Sequence, residues 1–218
     1  GKPLLLDIYT PEKPADDVKL PVIIWIHGGG WESGTKDGCP AALLVPHGYA
    51  AVSIGYRFSQ VAPYPAQIHD CKAAVRWVRA HANEYNIDPD RIGVWGASAG
   101  GHLVSLLGTT SGDKKLEGNV GDHLDQSSKV QAVCNWFGPT DIVKLCRMAG
   151  GETAAEAGEP REDLTLKAES TTPTDASVTP ESDKKPRKVP TPSPIRKLLG
   201  GSIQNKLALA ATLGVQRA

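Results

Sequence analysis

The sequence predicts an α/β protein, a three-layer αβα sandwich around a mostly parallel sheet. Three observations carry this reading. Short runs of β-branched and apolar residues alternate with helix-period segments through about the first 145 residues, the rhythm of βαβ units. One such run, Pro21-Val22-Ile23-Ile24-Trp25-Ile26, breaks straight into His27-Gly28-Gly29-Gly30-Trp31. Another, Arg91-Ile92-Gly93-Val94-Trp95, enters Gly96-Ala97-Ser98-Ala99-Gly100 and then a helix-like stretch over 101–107.

In chain order, residues 4–9 read as an edge strand that ends at Pro11, because proline withholds an N–H from the ladder. Residues 21–26 form a buried parallel strand, apolar without alternation. Residues 40–47 read as a short helix and 49–55 as a second buried strand. Over 67–83, Ile68, Cys71, Val75 and Val78 recur near helical spacing, as on an amphipathic crossover helix. On it, Asp70 with Arg76 or Arg79 reads as a solvated or structural charge set, and Arg57 as a loop brace. Asp88-Pro89-Asp90 closes a loop into the strand at 91–95. Residues 130–137 read as a further strand, and Asp141, after a Gly138-Pro139 turn, as the N-cap of a helix that Ile142 and Val143 enter.

The two glycine-bearing junctions point to one chemistry. A Gly-x-Ser-x-Gly between strand and helix is the pattern of a nucleophile elbow, where the tight turn demands small residues two before and two after the serine. Gly96 and Gly100 meet that demand. Ser98 is thereby the candidate nucleophile at the carboxyl end of the sheet, with a helix N-terminus directed at developing negative charge. The bare loop after the earlier strand lets backbone N–H groups converge on a substrate oxygen. We assign Gly29 and Gly30 as oxyanion donors, joined by Ala99, the residue after the nucleophile; losing one such donor costs on the order of 3 kcal/mol of barrier.

Taken together, His27-Gly28-Gly29-Gly30-Trp31, Gly55-Tyr56-Arg57, Pro65-Ala66-Gln67, Asp88-Pro89-Asp90-Arg91-Ile92, Gly96 to His102 and Gly138-Pro139-Thr140-Asp141 resemble the α/β-hydrolase family in order and spacing. Within it, the likeness is to the hormone-sensitive-lipase-like esterases and the related feruloyl and acetyl esterases. It covers about residues 1–145 and returns weakly at 193–201. The resemblance implies a serine hydrolase acting on carboxylic esters of small acids, acylated carbohydrate among them. A serine peptidase of the prolyl-oligopeptidase type shares the elbow and is the neighbouring alternative; Ala97 and the long glycine loop favour the esterase.

In that family the triad runs Ser, then Asp or Glu, then a late His. This chain's six histidines are His27, His47, His69, His81, His102 and His123, none beyond position 123. No triad acid or base is assigned within these residues. His102, one helical turn from Ser98, reads as a packing residue, His27 as a brace of the glycine loop, and His123 as a loop brace. His47, His69 and His81 show no partner pattern. The expectation is therefore a chain lacking the last strands of a complete hydrolase, with an exposed apolar edge. A Ser-His-Asp site without one triad member retains roughly 10³–10⁴-fold acceleration, so only trace esterase activity is expected here. A non-catalytic binding protein on the same pocket is the alternative from another class.

Composition narrows the rest. A length of 218 residues at 40% hydrophobic suits one globular core. Net charge +0 and a pI near 7.2 give no steering toward nucleic acid. No apolar run reaches membrane-spanning length. The four cysteines, Cys39, Cys71, Cys134 and Cys146, are too scattered for a metal set, and no metal or cofactor is expected. They read as buried thiols, with a Cys39–Cys71 bridge as the alternative and the compartment left open. Gly1-Lys2 in place of Met reads as a fragment or processed form. The chain divides into a hydrolase core over 1–149, a polar insertion or flap over 150–194 whose composition predicts disorder, and a helical remnant over 195–218.

Overall fold

The computed structural model describes residues 3–12 and 18–150. The insertion over 150–194 and the helical remnant over 195–218 lie, beyond residue 150, outside the described residues. Five strands form one sheet: β1 (Leu6–Tyr9), β2 (Leu20–Ile26), β3 (Ala50–Ile54), β4 (Ile87–Ala97) and β5 (Ala132–Trp136). Their order is β1-β3-β2-β4-β5. Only β1 runs antiparallel to its neighbour, and β3, β2, β4 and β5 are parallel. The helices are α1 (Ala66–Ala80), α2 (Ala99–Thr109), α3 (Lys114–Glu117) and α4 (Ile142–Gly150), with a 3₁₀ helix over Pro40–His47.

The side-chain alternation of β2 sorts its residues between two layers. Val22, Ile24 and Ile26 join Val52, Ile54 and Val94 beneath Ile68, Val75, Leu103 and Leu107 of α1 and α2. Trp25 points the other way, into a smaller cluster with Ala51 and Ala41 under the 3₁₀ helix. Helices thus cover both faces, as the predicted sandwich requires. Along the second face a row of indoles runs toward the edge: Trp25 meets Trp95 at 5.3 Å, and Trp95 meets Trp136 at 4.6 Å. Every residue of β5 is exposed.

Several elements depart from the sequence reading for local reasons. Residues 40–47 form the expected short helix as a 3₁₀ winding that contains Pro46. The helix expected over 67–83 stops at Ala80, where the Ala82 N–H donates to the Arg79 carbonyl at 3.3 Å in a tightened last turn. Asp88-Pro89-Asp90 lies within β4 as an irregularity: pairing steps from Leu20↔Ile87 to Val22↔Ile92, and Asp88 Oδ1 accepts the Asp90 N–H at 2.9 Å. The short α3 escapes the sequence reading, although Asp113 caps it by accepting from the Lys115 and Leu116 N–H groups. Cys39 and Cys71 are both free thiols.

The charge set on α1 also needs correcting. Asp70 pairs with Arg57, whose Nε and Nη2 donate to its carboxylate at 2.8 and 2.7 Å. Arg76 and Arg79 sit six and nine residues on, roughly 120° and 180° around the helix from Asp70, and cannot share a face with it. Arg76 instead donates to Glu117 at 3.2 Å. Arg79 reaches the carbonyls of Pro89, Ser127 and Lys129. Fully buried Lys72 donates to Glu117 at 2.8 Å and to the Thr110 carbonyl at 2.7 Å. Around this one carboxylate the 110–128 segment is fastened to α1.

Candidate active site

The carboxyl ends of β2, β4 and β5 meet at Ser98. Strand β4 ends at Ala97 and helix α2 begins at Ala99, so Ser98 alone makes the turn, at φ 54 and ψ −118. Side chains other than glycine rarely occupy this region, and holding one there costs on the order of 1–3 kcal/mol. The surroundings fix it. The Ser98 N–H donates to the Trp136 carbonyl at 2.9 Å, and its own carbonyl accepts the His102 N–H at 3.0 Å. A Cβ on Gly96 would overlap the Gly100 carbonyl, which explains the small residues on either side.

The glycine loop is pressed against this turn. A Cβ on Gly28 would lie 2.8 Å from the Ala97 carbonyl oxygen and 3.3 Å from Ser98 Cβ. Gly29 and Gly30 follow with φ 109 and 62, and Trp31 with φ 60. The Gly29 carbonyl is drawn into a tight turn, accepting the Glu32 and Ser33 N–H groups at 3.1 Å each. Among the described residues, no backbone carbonyl outside the helices and strands accepts the N–H of Gly29 or Gly30. Of the residues expected as oxyanion donors, Ala99 directly follows the half-buried Ser98, and Gly29 and Gly30 follow Gly28, whose backbone is packed on the serine.

His27 is the loop's brace, as expected. Its Nδ1–H donates to the Gly28 carbonyl at 2.7 Å, its ring stacks on Tyr56 at 4.5 Å, and the Tyr56 hydroxyl donates to the His27 carbonyl at 3.1 Å. Burial holds the His27 pKa below the ordinary histidine value and so favours the neutral ring, offset in part by the Gly28 bond. The Tyr56 hydroxyl is pushed well up by burial. His102 is buried in α2 with its ring edge-on to Trp31 at 5.4 Å. Asp141 caps α4, its Oδ1 accepting the Lys144 N–H at 2.8 Å.

Two histidines read as unpartnered are in fact engaged. His81 stacks on Trp77 at 3.9 Å and meets His123 edge-on at 5.0 Å, and His69 Nε2 bonds to the Lys115 carbonyl at 3.0 Å. Trp77 lies one helical turn before His81, whereas Lys115 and His123 come from distant segments that no periodicity marks. The sequence reading also missed the contribution of β5. Trp136 holds the Ser98 amide, and the Asn135 side chain accepts the Gly138 N–H at 2.7 Å while donating to Ser105 Oγ at 2.9 Å. Its one signal was the Gly138-Pro139 turn at the strand's end.

Comparison with known proteins follows this geometry. The BD-FAE family model matches residues 6–196. LipM of Mycobacterium tuberculosis, a probable carboxylic ester hydrolase, is 39% identical over 151 residues, which cover 66% of this chain and 34% of LipM. The carboxylesterase NlhH of the same organism is 40% identical over 109 residues, 49% of this chain and 34% of NlhH. Among solved structures, a truncated carbohydrate esterase from gut microbiota matches with TM-score 0.59 at 41% identity, over 63% of this chain and 52% of its own. A bifunctional GH43-CE protein of Bacteroides eggerthii gives TM-score 0.69 at 34% identity, over 96% of this chain and 24% of its own. The chain spans about a third of the length of the curated relatives it matches.

Proposed function

The chain belongs to the BD-FAE family of α/β-hydrolases, in the hormone-sensitive-lipase-like and feruloyl and acetyl esterase-like group, and from that premise we propose that the protein cleaves carboxylic esters through an acyl-Ser98 intermediate. The observation that carries this is the strained φ of Ser98 at a strand–helix junction, against which the glycine loop is packed. Ser98 Oγ attacks the ester carbonyl and gives its proton to a histidine base. The Gly29, Gly30 and Ala99 amides hold the oxyanion, and collapse expels the alcohol, which takes the proton back. Water then repeats the sequence on the acyl-serine and releases the acid.

The named esterases among the relatives support carboxylic ester cleavage, and the carbohydrate esterase among the solved structures supports a sugar as the alcohol. Residues 1–149 are the unit that carries the nucleophile and the donors. This scheme assigns the base and the acid to protein outside these 218 residues, since no histidine follows position 123 and Asp141 is spent on capping α4. The 218-residue chain accordingly gives trace turnover. No cofactor enters the scheme.

The test is mass spectrometry after exposure to a fluorophosphonate. A slow adduct on Ser98, abolished by Ser98→Ala, is the expected result; labelling elsewhere, or labelling that survives the substitution, rejects the assignment. Turnover of p-nitrophenyl acetate against a prolyl amide by the longer protein separates esterase from peptidase, with preference for the amide rejecting the esterase. The missing late histidine favours one second reading, a non-catalytic binding protein. That reading prevails if the longer protein binds esters without Ser98-dependent turnover.

A further inference from the structure

Phe137 stands next to Ser98 across the β4–β5 ladder. The register pairs Ala97 with Trp136, and the Trp136 carbonyl that accepts the Ser98 N–H is bonded directly to the Phe137 nitrogen. This is the carboxyl end of parallel strands, where ligands of open α/β sheets bind. Phe137 is 78% exposed, and no other large apolar side chain among the described residues is more so. Its backbone lies at φ 45, in the region that favours glycine.

Both features run against stability. Burying a phenylalanine would stabilise the fold, which this ring forgoes, and a left-handed non-glycine residue adds backbone strain. Yet the turn is built firmly. Asn135 ties the Gly138 N–H to Ser105 of α2, and Ser105 Oγ donates in turn to the Gly101 carbonyl at 3.0 Å. Gly138 is seated so closely on Gly101 that a Cβ on Gly101 would lie 2.9 Å from the Gly138 nitrogen. The fold thus fixes an aromatic ring in water beside the serine, at its own expense.

We propose that Phe137 is a specificity-determining residue whose ring is the platform for the pyranose ring of the substrate's alcohol, while the ester faces Ser98. The proposal rests on the reading of Ser98 as an ester-cleaving serine. An acyl chain needs an enclosed apolar pocket to leave water, and an open ring offers none. A pyranose differs: one face is C–H, its rim is hydroxyl and stays hydrated, and the C–H groups meet the negative face of the aromatic quadrupole.

The test is a tryptophan-fluorescence titration of the whole chain with an O-acetylated methyl pyranoside, using Trp136 as reporter and ethyl acetate as the ester without a ring. Phe137→Ala is expected to weaken pyranoside binding about tenfold, the scale of one aromatic contact. Phe137→Leu, which keeps bulk but loses the flat face, behaves like the alanine variant, and Phe137→Tyr stays within about twofold of the parent. Binding of ethyl acetate is unchanged throughout. Equal pyranoside affinity in the parent and Phe137→Ala, or no saturable binding to the parent, overturns the proposal. The fluorophosphonate adduct of the same chain is followed separately. Ring-dependent binding without a Ser98 adduct sinks the ester-cleaving reading alone, whereas a Ser98 adduct with pyranoside binding indifferent to Phe137 sinks this one alone.

Discussion

Gly100 stands against the carbonyl oxygen of Ile26 with no room between them for a methyl group. The first turn of α2 therefore rests directly on the end of β2, and the elbow and the glycine loop are one packed unit. Gly100→Ala must displace backbone on both sides, since neither neighbour is the free end of a flexible side chain. It is expected to cost about 3 kcal/mol in urea unfolding, at the upper end of the range for overpacked cores. Gly38→Ala, where nothing lies within 4 Å, stays within about 0.5 kcal/mol and serves as the control.

The strain at Ser98 gives a second expectation, opposite in sign. Glycine adopts φ 54 and ψ −118 without penalty, whereas alanine meets the same obstacle as serine. Ser98→Gly should therefore be more stable than Ser98→Ala by about 1 kcal/mol, read as a shift in the urea midpoint at constant slope. Both variants lose the fluorophosphonate adduct. Equal stability of the two would show that the turn stores no strain.

The sequence made these site glycines legible because their spacing follows from sterics alone: Gly96 and Gly100 bracket Ser98 wherever such an elbow forms. Strands β2 and β3 were equally plain, since burial leaves them apolar but for Ser53 and so without an alternation to confuse the pattern. Arg57 and Asp70 were not. They lie 13 residues apart on a strand end and a helix, and only the β3-to-α1 crossover brings them to 2.7 Å. The roles of Asn135 and Phe137 were hidden for a similar reason. They depend on β5 lying beside β4, a parallel pairing that leaves no mark in either strand's own sequence.

Glu117 is the keystone of the segment over 110–128. Burial raises its pKa, but the bonds from Lys72 and Ser128 outweigh that and hold it below the usual carboxylate value. Lys72 is fully buried, so Glu117→Ala leaves an ammonium without its counter-charge. The expected loss is about 3 kcal/mol, as for other broken buried pairs. Lys72→Met in the same chain should recover part of that loss, because an apolar side chain of similar length tolerates the site. A double variant that is no better than Glu117→Ala would place the stabilisation elsewhere, and the urea-midpoint cycle measures this directly.

The last expectation concerns acid. Burial lowers the His27 pKa in the folded state, with the Gly28 carbonyl only partly offsetting it. The unfolded chain therefore takes up a proton at a higher pH than the folded one, near pH 6.5 for a free histidine. The sign follows: stability contributed by neutral His27 is whole above about pH 6.5 and declines as the pH falls toward the folded value. The carboxylates held below their usual range, Asp37, Asp88 and Glu117, are spent only in more acidic solution, which leaves roughly pH 5–6.5, between the ordinary carboxylate and histidine values, as the window that reports the histidine. Melting temperature should fall across that window in the parent chain. His27→Gln keeps a donor for the Gly28 carbonyl but cannot titrate, so its melting temperature should be lower at neutral pH yet flatter with acid. An equally steep decline in the variant would mean that another group governs the acid limb, and that the glycine loop is held without regard to the charge of His27.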